Sequence, residues 1–139
     1  KGPSGGGGLV SSTKDYLRFG QMLMNNGTLD GKRILGRKTL ELMTMNHIPH
    51  LRNGASVAGG SGVSTQTFGY GLGFGVDLHV PSTGVPGTTG SYFWGGFAST
   101  IFWIDPKEEV MGLLMTQLVP SNLLPLREDF KVLTYGAMK

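Results

Sequence analysis

Two rhythms of apolar residues divide the chain. Near the start, Tyr16, Phe19 and Leu23 recur at helical spacing with Leu17 and Met24 beside them, which predicts a helix over about 12–26. Ser12 can cap it, Asp15 favours its first turn, and Asn25-Asn26-Gly27 stops it. Thr28 to Leu35 holds a tight turn at Asp30-Gly31, and Leu40 with Met43 gives a second helix over about 37–45, ended by Asn46 and Pro49. A period of two then takes over. Tyr70, Leu72, Phe74, Val76 and Leu78 alternate with Gly71, Gly73, Gly75 and Asp77, predicting a strand over about 70–78 whose second face is nearly bare and packs very close to a neighbour. β-Branched and aromatic residues predict a strand over about 97–104, and Asp105-Pro106-Lys107-Glu108 turns the chain. Val110 to Thr116 is almost wholly apolar, as suits a strand over about 110–116 covered on both faces. Leu126, Phe130, Leu133 and Ala137 share one face of a closing helix over about 126–138.

Loops fill the remainder: residues 1–11, rich in glycine, and polar stretches at 50–67 and 80–91. The elements add up to a single α+β piece, an antiparallel sheet flanked by helices. Three strands leave edges, and one as apolar as Val110–Thr116 makes a poor edge, so another segment is expected to pair or pack with it.

Composition narrows the function classes. Apolar residues make up 39% and charged ones 15%, as in a folded domain with a core. Glycine, at 24 residues, is more than double its usual share of about 7%, and it clusters in particular loops and one strand. The net charge is only +3 and the twelve Lys and Arg are scattered, so no nucleic-acid face is expected. Without cysteine there is no disulfide framework, thiolate nucleophile or thiolate metal site. No apolar run reaches the roughly 18 residues of a membrane span, and no signal peptide stands at the start. The chain opens on Lys1-Gly2-Pro3 without an initiator methionine, which suggests a fragment or a processed piece.

Candidate chemistry is sparse. Ser11-Ser12-Thr13-Lys14 fits Ser-x-x-Lys, the spacing by which a lysine one helical turn on activates a serine. Ser11 and Lys14 are nonetheless read as a decoy, because Ser/Thr ahead of an amphipathic helix is first of all a cap. The glycine run before Ser11 lacks the Gly-Lys-Ser/Thr ending of a phosphate loop. His47, His50 and His79 lack metal spacing, and Asp105, Glu108 and Glu109 are assigned to a solvated turn. No metal or other cofactor is expected. Trp94-Gly95-Gly96, placed just ahead of the 97–104 strand, supports two readings equally. The glycines permit a tight entry with Trp94 in the core, or a backbone N–H near Phe97 points into a cleft and stabilises an oxyanion.

Taken in order, several stretches resemble the C-terminal portion of the serine β-lactamase-like superfamily, closest to family VIII carboxylesterases and related hydrolases. They are Gly5 to Ser12 leading into Asp15-Tyr16-Leu17-Arg18-Phe19; Asn26-Gly27 to Asp30-Gly31; and Arg37 to Met43. Gly69 to Gly75, Trp94-Gly95-Gly96, Phe102-Trp103-Ile104-Asp105-Pro106 and Met115-Thr116-Gln117-Leu118 complete the set. The resemblance implies that Trp94, Gly95 and Gly96 occupy the superfamily's Lys-Thr-Gly position in a Trp-x-Gly version. It implies that the Phe97 N–H forms half of the oxyanion hole and that Trp94 walls an acyl pocket suited to esters. Loss of the motif lysine removes the cation that would hold a β-lactam carboxylate. The superfamily's own Ser-x-x-Lys helix and tyrosine base lie upstream and are not in this chain.

The function expected is therefore part of a serine hydrolase forming an acyl-enzyme on a small ester or amide substrate, with its nucleophile in the missing N-terminal part of the same protein. The rivals are a non-catalytic peptide- or cell-wall-binding module of the same fold, and a structural piece that assembles through its exposed sheet edge.

Overall fold

A computed structural model describes residues 2–5, 8–49, 67–121 and 123–139. Helix α1 (Thr13–Met24) begins where Ser12 accepts a hydrogen bond from the Asp15 N–H at 3.1 Å and donates to the Asp15 carboxylate at 2.8 Å. It ends as Asn26 takes φ 52° and the Gly27 N–H turns back to the Met22 carbonyl at 2.9 Å. Strands β1 (Thr28–Leu29) and β2 (Lys32–Arg33) form a small hairpin turned by Asp30 and Gly31, both at positive φ. Helix α2 (Arg37–Met43) follows.

Five strands make the main sheet: β3 (Phe68–Tyr70), β4 (Gly75–Asp77), β5 (Tyr92–Gly95), β6 (Ile101–Asp105) and β7 (Val110–Leu114). Each pairs antiparallel with the next, in the order β3-β4-β5-β6-β7. Helix α3 (Leu126–Gly136) closes the chain. The molecule is α+β, an antiparallel sheet with helices on both faces.

Of the expected strands, one is divided and another begins later than its composition predicts. The alternating run over 70–78 is a hairpin: the Gly71 N–H donates to the Phe74 carbonyl at 2.8 Å, Gly73 sits at φ +91°, and β4 returns along β3. Gly73 serves the turn, in a conformation open to a residue without a Cβ, whereas a Cβ at Gly71 would stand 2.1 Å from the Met43 carbonyl oxygen and one at Gly75 2.8 Å from the Phe93 ring, the close approach expected of the bare face. The strand expected over 97–104 starts only at Ile101, because Ser99 takes φ 66° and residues 97–100 reverse the chain. Trp94 and Gly95 therefore lie inside a strand, β5, and not ahead of one. The loop expected at 50–67 lies, apart from Thr67, outside the described residues.

Side-chain alternation assigns the two faces. Tyr92 on β5, Phe102 and Ile104 on β6, and Val76 on β4 join Met22, Leu23, Leu40 and Phe74 in the main core, under α1 and α2. Each of these buried side chains contributes about 1.5–3 kcal/mol of transfer free energy. The opposite face meets α3: Trp103 stacks edge-on against Phe130 at 5.1 Å, and the Tyr135 hydroxyl donates to Asp105 at 2.7 Å. Asp105 is 0% exposed, which corrects its assignment to a solvated turn. Strand parity turns it inward, where one oxygen receives the turn's Lys107 and Glu108 N–H groups and the other meets Tyr135. On the same face Asp77 is buried, accepting from Ser91 and from Lys131 at 3.2 Å.

Strand β7 is covered by α1 on one face and α3 on the other, and among the described residues β6 is its only strand partner. It is a sheet edge.

Candidate active site

The site begins with the alternation in β5. Trp94 pairs across from Phe102 and turns to the α1 side, and Gly95 pairs with Ile101 and faces α3. The chain then leaves the sheet, and its backbone groups are secured one by one. The Gly96 N–H donates to the Thr100 carbonyl at 2.9 Å, closing the turn. Ser99, fully buried, donates its hydroxyl to the Leu118 carbonyl at 2.8 Å. The Ala98 carbonyl accepts from the Leu118 N–H at 3.2 Å and from the Thr116 hydroxyl. Arg127, on the first turn of α3, donates from Nη2 to the Gly96 carbonyl at 2.5 Å. Among the described residues nothing accepts from the Phe97 N–H, and the Phe97 side chain is 80% exposed.

Beside this turn lies a recess of about 180 Å³. Tyr16 and Trp94 wall it, Phe102, Ile101 and Leu113 floor it, and Gly95, Gly96, Thr100 and Met115 form its rim. None of these residues carries a charge. Trp94 is 37% exposed and is held edge-on by Tyr70 at 5.3 Å. Tyr16 packs on Phe102 at 5.2 Å, and burial raises its phenol above the ordinary tyrosine range, so it stays protonated at neutral pH. The arrangement offers hydroxyl and backbone donors beside an apolar wall, which suits a neutral carbonyl compound that develops negative charge on oxygen.

The structure brings together Trp94, Gly95, Gly96 and Phe97 at one end of the sheet. Ser11 and Lys14 are elsewhere. Ser11 precedes the helix and donates to its neighbour Ser12's carbonyl at 3.4 Å, while Lys14 is exposed in the first turn, so the two do not share a helical face. His47 donates to the Leu42 carbonyl at 2.7 Å, and His79 pairs with Ser82 at 2.6 Å. His50 lies outside the described residues. Among the described residues no three of His, Cys, Asp and Glu gather as a metal site, and no helix is long and apolar enough to cross a membrane.

Sequence reasoning missed four residues here. Tyr16 reads as one more member of an apolar stripe, and Tyr70 and Thr100 as ordinary strand formers. Arg127 carries no signal at all, since its partner is a carbonyl 31 positions earlier in the chain.

The chain is 34% identical over 124 residues to two Mycobacterium tuberculosis proteins, "Uncharacterized protein MT1414" of strain CDC 1551 / Oshkosh and "Protein Rv1367c" of strain H37Rv. The match covers 84% of this chain and 29% of each relative, so the chain spans under a third of their length. Among solved structures, "EstCE1, a hydrolase with promiscuous acyltransferase activity" superposes with TM-score 0.76 at 25% identity, over 96% of this chain and 32% of that one. The LovD6 mutant of simvastatin synthase (LovD) from Aspergillus terreus gives 0.70 at 23%, over 91% and 33%. A penicillin-binding protein homologue from Caulobacter crescentus gives 0.63 at 19%, over 87% and 30%. These neighbours establish a β-lactamase/transpeptidase-like fold. The family described as Beta-lactamase matches residues 1–134, nearly the whole chain, and it is to this family that the chain belongs.

Proposed function

We propose that this chain is the C-terminal part of a serine hydrolase that forms an acyl-enzyme on ester or amide substrates. Its nucleophile is supplied by an upstream segment. The observation that carries the reading is the Phe97 N–H. It has no acceptor among the described residues, in a turn whose neighbouring Gly96 and Ala98 carbonyls and Gly96 N–H are engaged, beside an apolar recess. A fixed donor with no ground-state partner gains most when charge develops on a substrate oxygen, and removing such a donor costs about 100- to 1,000-fold in turnover.

In the reaction, an upstream serine hydroxyl adds to the substrate carbonyl carbon as an upstream base takes its proton. The carbonyl oxygen becomes the oxyanion, facing the Phe97 N–H. Collapse expels the alcohol or amine with that proton and leaves the serine ester, and water repeats the sequence to release the acid. Trp94 packs against the acyl group. The uncharged lining of the recess favours esters over β-lactams, whose carboxylate needs a cation. The hydrolase and acyltransferase chemistry of EstCE1 fits the same reading.

The test uses the full-length protein with p-nitrophenyl butyrate. Turnover with a burst of one equivalent of nitrophenol is expected, reduced about 100-fold in Phe97→Pro, which removes the N–H, at an unchanged melting temperature. The 139-residue chain alone is expected to be inactive; activity there that disappears in Ser11→Ala would overturn the assignment. Full-length protein that binds peptides yet forms no acyl-enzyme would identify a binding module.

A further inference from the structure

We propose that Arg127 is the positioning residue of this oxyanion donor: acting from α3, behind the sheet, it orients the Gly96–Phe97 peptide and strengthens its N–H. The inference rests on the reading of Phe97 given above and deepens it.

A peptide unit is planar and trans, so its C=O and N–H point in opposite directions. Among the described residues the only cis bond is Val119–Pro120. The carbonyl of the Gly96–Phe97 unit is bound by Arg127 Nη2 at 2.5 Å on the α3 side. The N–H of that unit is therefore turned away from α3, toward the face that carries the recess. Arg127 passes directly beneath Gly95, whose lack of a side chain leaves the guanidinium room. A Cβ there would stand 3.1 Å from the Arg127 Cζ and 3.2 Å from each Nη, close enough that the guanidinium would have to give by a few tenths of an ångström.

Charge adds to geometry. A cation on a carbonyl oxygen draws amide electron density toward that oxygen and leaves the N–H more polar. Among the described residues no carboxylate forms an ion pair with Arg127, so its charge is not offset by a neighbouring anion. Arg127 does not line the recess. It works through the peptide. A lysine would bring a point charge but not the planar fork, so it would replace Arg127 only in part.

The experiment uses the full-length protein and its Arg127→Ala, Arg127→Lys and Phe97→Pro variants. Turnover of p-nitrophenyl butyrate is measured alongside the infrared stretch of the acyl-enzyme carbonyl, which rises in frequency as hydrogen bonds to it weaken. In Arg127→Ala, kcat should fall about 10- to 100-fold with KM changed less than about threefold, and the carbonyl band should shift upward. Arg127→Lys should lie between Arg127→Ala and the unsubstituted protein, and it carries the test alone if Arg127→Ala does not accumulate folded. An unshifted band in the Arg127 variants, whether or not kcat falls, overturns the proposal while a slow Phe97→Pro keeps the oxyanion reading. Absence of any acyl-enzyme in the unsubstituted protein overturns both.

Discussion

Tyr92 shows how one residue ties the core to solution conditions. Buried between β4 and β6 in the main core, its phenol is pushed up to about 12 by desolvation, from an ordinary value near 10. The folded protein thus keeps a proton that the unfolded chain loses first. This contribution is fully present below about pH 10 and is lost as pH rises through about 12, with stability falling across that window. Two units correspond to at most about 3 kcal/mol. Tyr92→Phe should flatten the decline of urea midpoints between about pH 9 and 12 and change little at neutral pH. Tyr135 lies higher still through burial and its bond to Asp105, so some alkaline loss remains.

Among the elements, α3 is held to the sheet by polar contacts under a thin apolar seam. Lys131 reaches Asp77 at 3.2 Å, and Asp77 is 1% exposed with its second oxygen unpartnered among the described residues. Removing the cation strands a buried carboxylate, so Lys131→Ala should cost about 3–5 kcal/mol in chemical unfolding. Adding Asp77→Asn should recover much of that loss, and a double-mutant cycle measures how much. Helices are also where the sequence was most readable. Ser12, Asn26-Gly27 and the Tyr16–Phe19–Leu23 stripe act through local hydrogen bonds and a fixed period, and α1 lies where they predict it. Strands were harder. Tyr70 to Leu78 has a strand's alternation, but period two cannot distinguish one long strand from a tight hairpin when glycine stands at every other position. Ser99 shows the same limit, since its left-handed backbone is sustained by a bond to Leu118, 19 residues away. Trp94-Gly95-Gly96 was visible as a motif, whereas Arg127, which grips it, depends on tertiary contact alone.

At the scale of the whole molecule, chemistry and support lie on opposite faces of one sheet. The recess opens beside α1, and the residues that fix its rim are Arg127 on α3 and Thr116 and Leu118 after β7. The edge strand β7 joins these halves, apolar and covered above and below but paired, among the described residues, only with β6. Unpaired backbone of this kind is a template for another strand. A polypeptide with such an open border can be reconstituted from two pieces. Mixing this chain with the upstream piece made separately should restore ester hydrolysis, at an initial rate set by the product of the two concentrations. The seam where the sheet stops would then be the natural place to cut the proposed hydrolase into a reporter of proximity.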